Sequence, residues 1–212
     1  MNGTSIATSG APLRRAKAAV IMLHGRGASA AGMLDFADAF AQPEIAYLAP
    51  QAPGSTWYPY SFMAPFEQNE PTFSNALATV AGAVADLAGQ GFPPERVVLF
   101  GFSQGGCLAL EYAARNAQRY GGVVGLSAGL IGPPGTPRSY PGSMAGTPVF
   151  IGCSNVDFHI PLERVHESAE VLRRMGGDVT ERIYPDMGHT INDDEVKHVR
   201  GILAGLVQSR AA

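Results

Sequence analysis

The chain has 212 residues, enough for one domain with a substantial core, and its 46% hydrophobic and 16% charged residues describe a globular protein, not a disordered one. A formal net charge of −3, with the basic residues scattered, gives no electrostatic ground for binding nucleic acid. The two cysteines, Cys107 and Cys153, make neither a disulfide framework nor a metal-ligand spacing.

In chain order, Arg14, Arg15 and Lys17 precede "AAVIML" (18–23), a combination that superficially suggests a signal sequence. The apolar run is too short, and it ends in "HGRG" without a small-residue cleavage site, so it reads as a strand. No stretch approaches the ~20 apolar residues that cross a bilayer, and a cytoplasmic protein with no membrane span is expected. "SAAGMLDFADAFAQ" (29–42) sets Met33, Leu34, Phe36, Ala37 and Phe40 on one helical stripe. A strand at 45–49, a long Pro- and Gly-rich loop at 50–71 and a helix at 72–90 come after it. Next are a strand at 96–101, a helix at 103–120, a strand at 121–127 and a second long loop at 129–148. The chain closes with a strand at 147–152, a helix at 161–176, a strand at 179–184 and a helix at 191–208. The runs at 18–23, 96–101, 121–127 and 147–152 are almost continuously hydrophobic, as parallel strands covered on both faces are. Strand–helix alternation without repeat or linker predicts a single three-layer α/β domain over 1–212.

Two segments fit G-x-S-x-G: "GFSQG" around Ser103 and "GLSAG" around Ser127. A nucleophile elbow needs a strand that turns sharply into a helix with serine at the tip, and small neighbours where the two cross. "RVVLF" precedes Ser103 and an alanine-rich helical pattern succeeds it. After Ser127 come Pro133, Pro134 and Pro137, which forbid a helix. Ser103 is the candidate nucleophile.

A base and a carboxylate are then expected in the chain order Ser, acid, His. His24 precedes the serine, His159 lies too close behind the expected acid, and His166 and His198 lie within helical patterns. His189, in "YPDMGHTIND" between the last strand and the last helix, is the candidate base. Its loop leaves the carboxyl end of a strand, where open α/β sheets build their sites. Asp157, just past "TPVFIG", is the candidate acid on the same ground. Asp186, three residues before His189, is its rival. Backbone N–H groups would stabilise the oxyanion: that of Gln104, directly after the serine, and that of Arg26 in the glycine-flanked "HGRGAS" loop.

Together "LHGRGAS", "GFSQGG", "DFHIP" and "YPDMGH" resemble the bacterial phospholipase/carboxylesterase family of α/β-hydrolases, which is related to the acyl-protein thioesterases. The resemblance implies an α/β-hydrolase fold without a large lid domain. It also implies the triad Ser103, Asp157 and His189, oxyanion donors at Arg26 and Gln104, and action on carboxylic esters, lysophospholipids or thioesters without metal or cofactor. Two departures stand out. Arg26 stands after "HG" where the thioesterases carry a hydrophobic residue, and the 54–71 segment lacks their "W-[FY]-D" aspartate.

That segment, "GSTWYPYSFMAPFEQNEP", gathers Trp57, Tyr58, Tyr60, Phe62, Met63 and Phe66. These residues either wall an apolar acyl pocket or pack the loop onto the core, and the cluster could instead face a lipid surface or a second subunit. Trp57, Tyr58, Phe62, Met63 and Phe66 are the substrate-pocket candidates. The expected activity is hydrolysis of small to medium acyl esters through an acyl-enzyme. The alternatives are lysophospholipase or protein thioesterase activity and, remotely, a non-catalytic binding protein. The expected partners are a small-molecule ester and a possible second copy of the chain.

Overall fold

Strand β2 (Ala18–Leu23) shows how the sheet is made. All six of its residues are buried, and alternate ones serve different cores. In this computed structural model, which describes residues 5–208, Ala19, Ile21 and Leu23 enter one hydrophobic cluster. Ala18, Val20 and Met22 enter a second. A strand that feeds two cores needs apolar side chains at every position, which is why its sequence shows no alternation.

The remaining strands are β1 (Ile6–Gly10), β3 (Ile45–Pro50), β4 (Val97–Phe102), β5 (Gly122–Leu126), β6 (Pro148–Ser154) and β7 (Asp178–Tyr184). They form one seven-stranded sheet in the order β1-β3-β2-β4-β5-β6-β7. Every pairing is parallel except that of β1, which lies antiparallel against β3. One face is covered by α3 (Thr72–Gly89), α4 (Gln104–Arg115) and α5 (Leu162–Arg174), the other by α1 (Ala30–Phe40) and α6 (Asp193–Gln208). The fold is that of the α/β-hydrolases. Among the described residues, no helix is long and apolar enough to cross a membrane.

Two elements go beyond the sequence pattern. Strand β1 reads IATSG and alternates between exposed and half-buried, as an edge strand does, so it shows neither apolar run nor strong period. A single-turn helix, α2 (Phe66–Asn69), interrupts the long loop at 50–71. Helix α4 stops at Arg115, short of the expected 120. The Asn116 side chain there turns back onto the Tyr112 carbonyl, and Ala117 bridges to Gly142. Helix α5 carries Glu163 in its first turn and Arg173 and Arg174 in its last. Helix α6 has Asp193, Asp194 and Glu195 at its start but no basic residue in its final turn.

The register fixes where the site lies. Leu23, Gly101, Gly125 and Ile151 stand in one row across β2, β4, β5 and β6. The chain leaves each of these strands at the same edge of the sheet, so the segments that carry Arg26, Ser103 and Asp157 emerge side by side. His189 comes from the loop that leaves β7 at that edge.

Candidate active site

Ser103 stands between the last residue of β4 and the first of α4, with φ 54° and ψ −122°. A non-glycine residue held in that region stores backbone strain, which persists only where the surroundings over-determine it. Here they do. The Ser103 N–H donates to the Leu126 carbonyl (2.9 Å) and its carbonyl accepts from the Cys107 N–H (2.9 Å), which ties the turn to β5 and to α4. A Cβ on Gly101 would collide with the Gly105 carbonyl, and one on Gly105 with the Leu23 carbonyl. The two glycines let strand, turn and neighbouring strand approach backbone to backbone.

The side chains then meet in line. The Ser103 hydroxyl lies 2.9 Å from His189 Nε2, and His189 Nδ1 lies 2.7 Å from Asp157 Oδ2. In the tautomer that suits both contacts, Nδ1–H donates to the carboxylate and Nε2 accepts from the hydroxyl. Asp157 Oδ1 accepts from the backbone N–H groups of His159 (2.9 Å) and Ile160 (3.1 Å). Burial alone would raise the Asp157 pKa. The hydrogen bonds from His189 and these two amides outweigh burial and hold the carboxyl below its usual range, so it is ionised. Asp186 is not the partner of His189. It is exposed, and its N–H donates to Asn155 Oδ1 instead.

Rings pack the imidazole on three sides: Phe102 at 5.0 Å, His159 at 4.7 Å and Phe158 at 6.0 Å between centroids. Phe158 is itself 78% exposed, so this flank of the site is open to solvent.

A cleft of about 490 Å³ opens over Ser103. Arg26, Gln104, Tyr58, Phe62 and Ile160 are among its walls, with Cys107 one helical turn beyond the serine. Of the substrate-pocket candidates, Tyr58 and Phe62 border this cleft. Trp57, Met63 and Phe66 do not line the cleft. The Trp57 indole N–H donates to the His24 carbonyl (2.8 Å), Phe66 stacks on Phe73 at 5.8 Å, and Met63 packs against the core. The core claims these three because a loop of this length needs anchors of its own. Tyr60, 56% exposed, takes a place on the rim.

Two further side chains anchor the segment that follows β3. The Gln104 side chain is buried: its amide oxygen accepts from the Trp57 N–H (2.9 Å) and its Nε2 donates to the Tyr58 carbonyl (2.8 Å). The residue after the serine therefore pins the aromatic loop to the elbow. His24, fully buried, accepts the Ala52 N–H at Nε2 (3.1 Å), with Nδ1 against the Gly25 carbonyl (2.7 Å). Burial lowers its pKa below 6.5, which keeps the ring neutral. The pattern "HG" carries the signal for His24. Gln104 carries only the signal of its position.

Comparison with known proteins bears on the family of the chain. The profile of the phospholipase/carboxylesterase family matches residues 5–206. The crystal structure of a phospholipase/carboxylesterase from Dyadobacter fermentans is 46% identical, with a TM-score of 0.91 over 95% of this chain and 97% of that one. Acyl-protein thioesterase 1 of Gibberella zeae is 35% identical over 122 residues, a match spanning 53% of this chain and only 49% of that protein. Acyl-protein thioesterase 1 of Emericella nidulans is 27% identical over 90% of this chain and 91% of its own length. With strand order, elbow and profile in agreement, the chain belongs to the phospholipase/carboxylesterase family of α/β-hydrolases and is a hydrolase of ester bonds.

Proposed function

We propose that this chain, acting as one domain, hydrolyses small to medium carboxylic esters through Ser103, His189 and Asp157 by way of an acyl-enzyme. The observation that carries the reading is the unbroken line of contacts from the Ser103 hydroxyl to His189 (2.9 Å) and on to Asp157 (2.7 Å). Ser103 Oγ attacks the acyl carbon while His189 Nε2 takes the hydroxyl proton. The ionised Asp157 holds the ring in the required tautomer and stabilises the imidazolium. The tetrahedral oxyanion is met by the N–H groups of Arg26 and Gln104, both of which border the cleft. Each such donor is worth roughly 10²–10³ in rate in a well-studied protease. Collapse of the intermediate breaks the bond to the alkoxy oxygen, which leaves with the proton from His189. Water, deprotonated by the same ring, then releases the acid and restores Ser103.

Ser103→Ala is expected to abolish hydrolysis of p-nitrophenyl butyrate and labelling by a fluorophosphonate probe, with an unchanged circular dichroism spectrum. Retained turnover in that folded variant would remove Ser103 from the reaction.

Thioester hydrolysis is the second reading, favoured by the relatives named acyl-protein thioesterase 1. The cleft's volume falls within the range of small-ligand pockets and by itself admits both short and long acyl groups. Rates over acyl lengths from acetyl to palmitoyl, each with an oxygen and a sulfur leaving group, separate the two. A maximum at palmitoyl thioesters would favour the second.

A further inference from the structure

The cleft over Ser103 carries a charge that the hydrolytic steps leave unused. Arg26 contributes only its backbone N–H to those steps. Its guanidinium donates to the carbonyl oxygens of Pro59 (2.7 Å) and Tyr60 (2.6 Å), both neutral groups. Among the described residues, no carboxylate pairs with it. A guanidinium has five N–H donors in a rigid planar fork, so most of them stay open to a ligand. The two carbonyls fix the fork's direction, which reduces the entropy lost when it binds.

A second donor faces the cleft from the other side. Strand β4, which delivers Ser103, lies between β2, which leads to Arg26, and β6, which leads to His159. His159 borders the cleft and is exposed. Its ring contacts are with Phe158 and His189, and neither ring nitrogen makes a hydrogen bond among the described residues. No aspartate or glutamate is among the cleft's lining residues. The nearest carboxylate of the site, Asp157, is already engaged by His189 and two backbone N–H groups, so the Arg26 guanidinium is left as an unpaired charge at the cleft.

We propose that the preferred substrates are small esters bearing a free carboxylate, bound by the Arg26 guanidinium with His159 as a donor on the opposite wall. The inference rests on the hydrolase reading of Ser103. A planar carboxylate matches the fork's geometry, and a charge-assisted pair of this kind is about twice as strong as a neutral hydrogen bond. A half-ester of a short dicarboxylic acid, or an ester of a short hydroxy acid, suits the volume of the cleft.

Two matched pairs test the proposal and find which side of the ester the charge occupies. Monomethyl adipate is compared with methyl hexanoate, and 4-acetoxybutanoate with butyl acetate, with acid release measured by titration at constant pH. In one pair or the other, the carboxylate ester is expected to show a kcat/KM about tenfold higher, chiefly through KM, and the advantage shrinks in high salt. Arg26→Met brings the ratio toward one. Arg26→Lys, which keeps the charge and loses the fork, retains part of it. Because Arg26 also braces the 59–60 segment, both variants are read by the ratio and not by absolute rate. Equal or lower kcat/KM for the carboxylate ester in both pairs overturns the proposal, as does a ratio unmoved by Arg26→Met. Fluorophosphonate labelling of the same samples separates the failures. Labelled Ser103 without carboxylate preference overturns this inference alone, and unlabelled Ser103 overturns the hydrolase reading with it.

Discussion

Ser103 and Ser127 share a five-residue pattern and a positive φ, 54° and 44°. Both sit at the carboxyl ends of neighbouring strands. They differ in what their side chains meet: the Ser103 hydroxyl reaches His189, whereas Ser127 Oγ is buried with no hydrogen-bond partner among the described residues. The segment after each serine decides this, since a helix turns the chain outward beyond Ser103 and a proline-rich loop continues beyond Ser127. The close crossing after Ser103 depends on Gly105, whose added Cβ would meet the backbone of Leu23 and His24. Backbone cannot give way as a side chain can. Gly105→Ala is therefore expected to destabilise the protein by on the order of 2–3 kcal/mol and to lower kcat by moving the Ser103 turn. Denaturant unfolding and ester hydrolysis together check it, and unchanged values of both would refute the crowding argument.

At the scale of elements, the site is held by loops that side chains fasten down. The β7–α6 loop, which carries His189, ends in a reciprocal cap. The Asn192 N–H donates to Glu195 Oε2 (2.8 Å), and the Glu195 N–H donates to Asn192 Oδ1 (2.9 Å). Glu195 is fully buried, and its Oε1 has no partner among the described residues. It packs where only the absence of a side chain at Gly152 makes room. Burial pushes its pKa up to about 7, with Asp194 adding to the rise and the Asn192 hydrogen bond opposing it. The folded state thus holds this proton more tightly than the unfolded chain, whose carboxyl titrates near 4.5. The associated stability is full below that lower value and is lost as pH rises toward the upper one. Glu195→Gln removes the titration, so its melting temperature relative to the natural protein is expected to rise between pH 5 and pH 8. A pH-independent difference would contradict the assignment. The sequence pattern places the start of this helix, but the burial of Glu195 depends on Gly152, 43 positions earlier in the chain.

Across the whole molecule, both cysteines lie in the core that α3, α4 and α5 form against one face of the sheet, Cys107 on α4 and Cys153 on β6. Cys107 and Cys153 are free, and burial pushes both thiols up to about 12. The thiolate is the reactive form, so these residues are inert while the fold is intact. Iodoacetamide at pH 8 is expected to leave the folded protein unmodified and to alkylate both cysteines once it is unfolded in guanidinium, as mass spectrometry would show. Rapid alkylation of Cys153 in the folded protein would mean that the sheet opens far more readily than its packing allows, whereas alkylation of Cys107 alone would mean that the reagent enters through the cleft.

Residue order alone was enough to reveal the strand–helix alternation, because strands covered on both faces must be apolar throughout and helices must carry one apolar stripe. It also pointed to Ser103, Asp157 and His189, since each stands where a strand ends, and in a parallel sheet those ends share one edge. Edge strand β1 and the single turn α2 escaped, having too little buried surface to impose a pattern. The choice of which aromatics border the cleft belonged to the folded chain. Tyr58 and Phe62 do and Trp57, Met63 and Phe66 do not, because an apolar side chain satisfies a core and a pocket equally well. Folding alone gave the Gln104 amide and the Arg26 guanidinium their partners, since a hydrogen bond to a loop carbonyl depends on the path of the chain through space and leaves no mark on residue type.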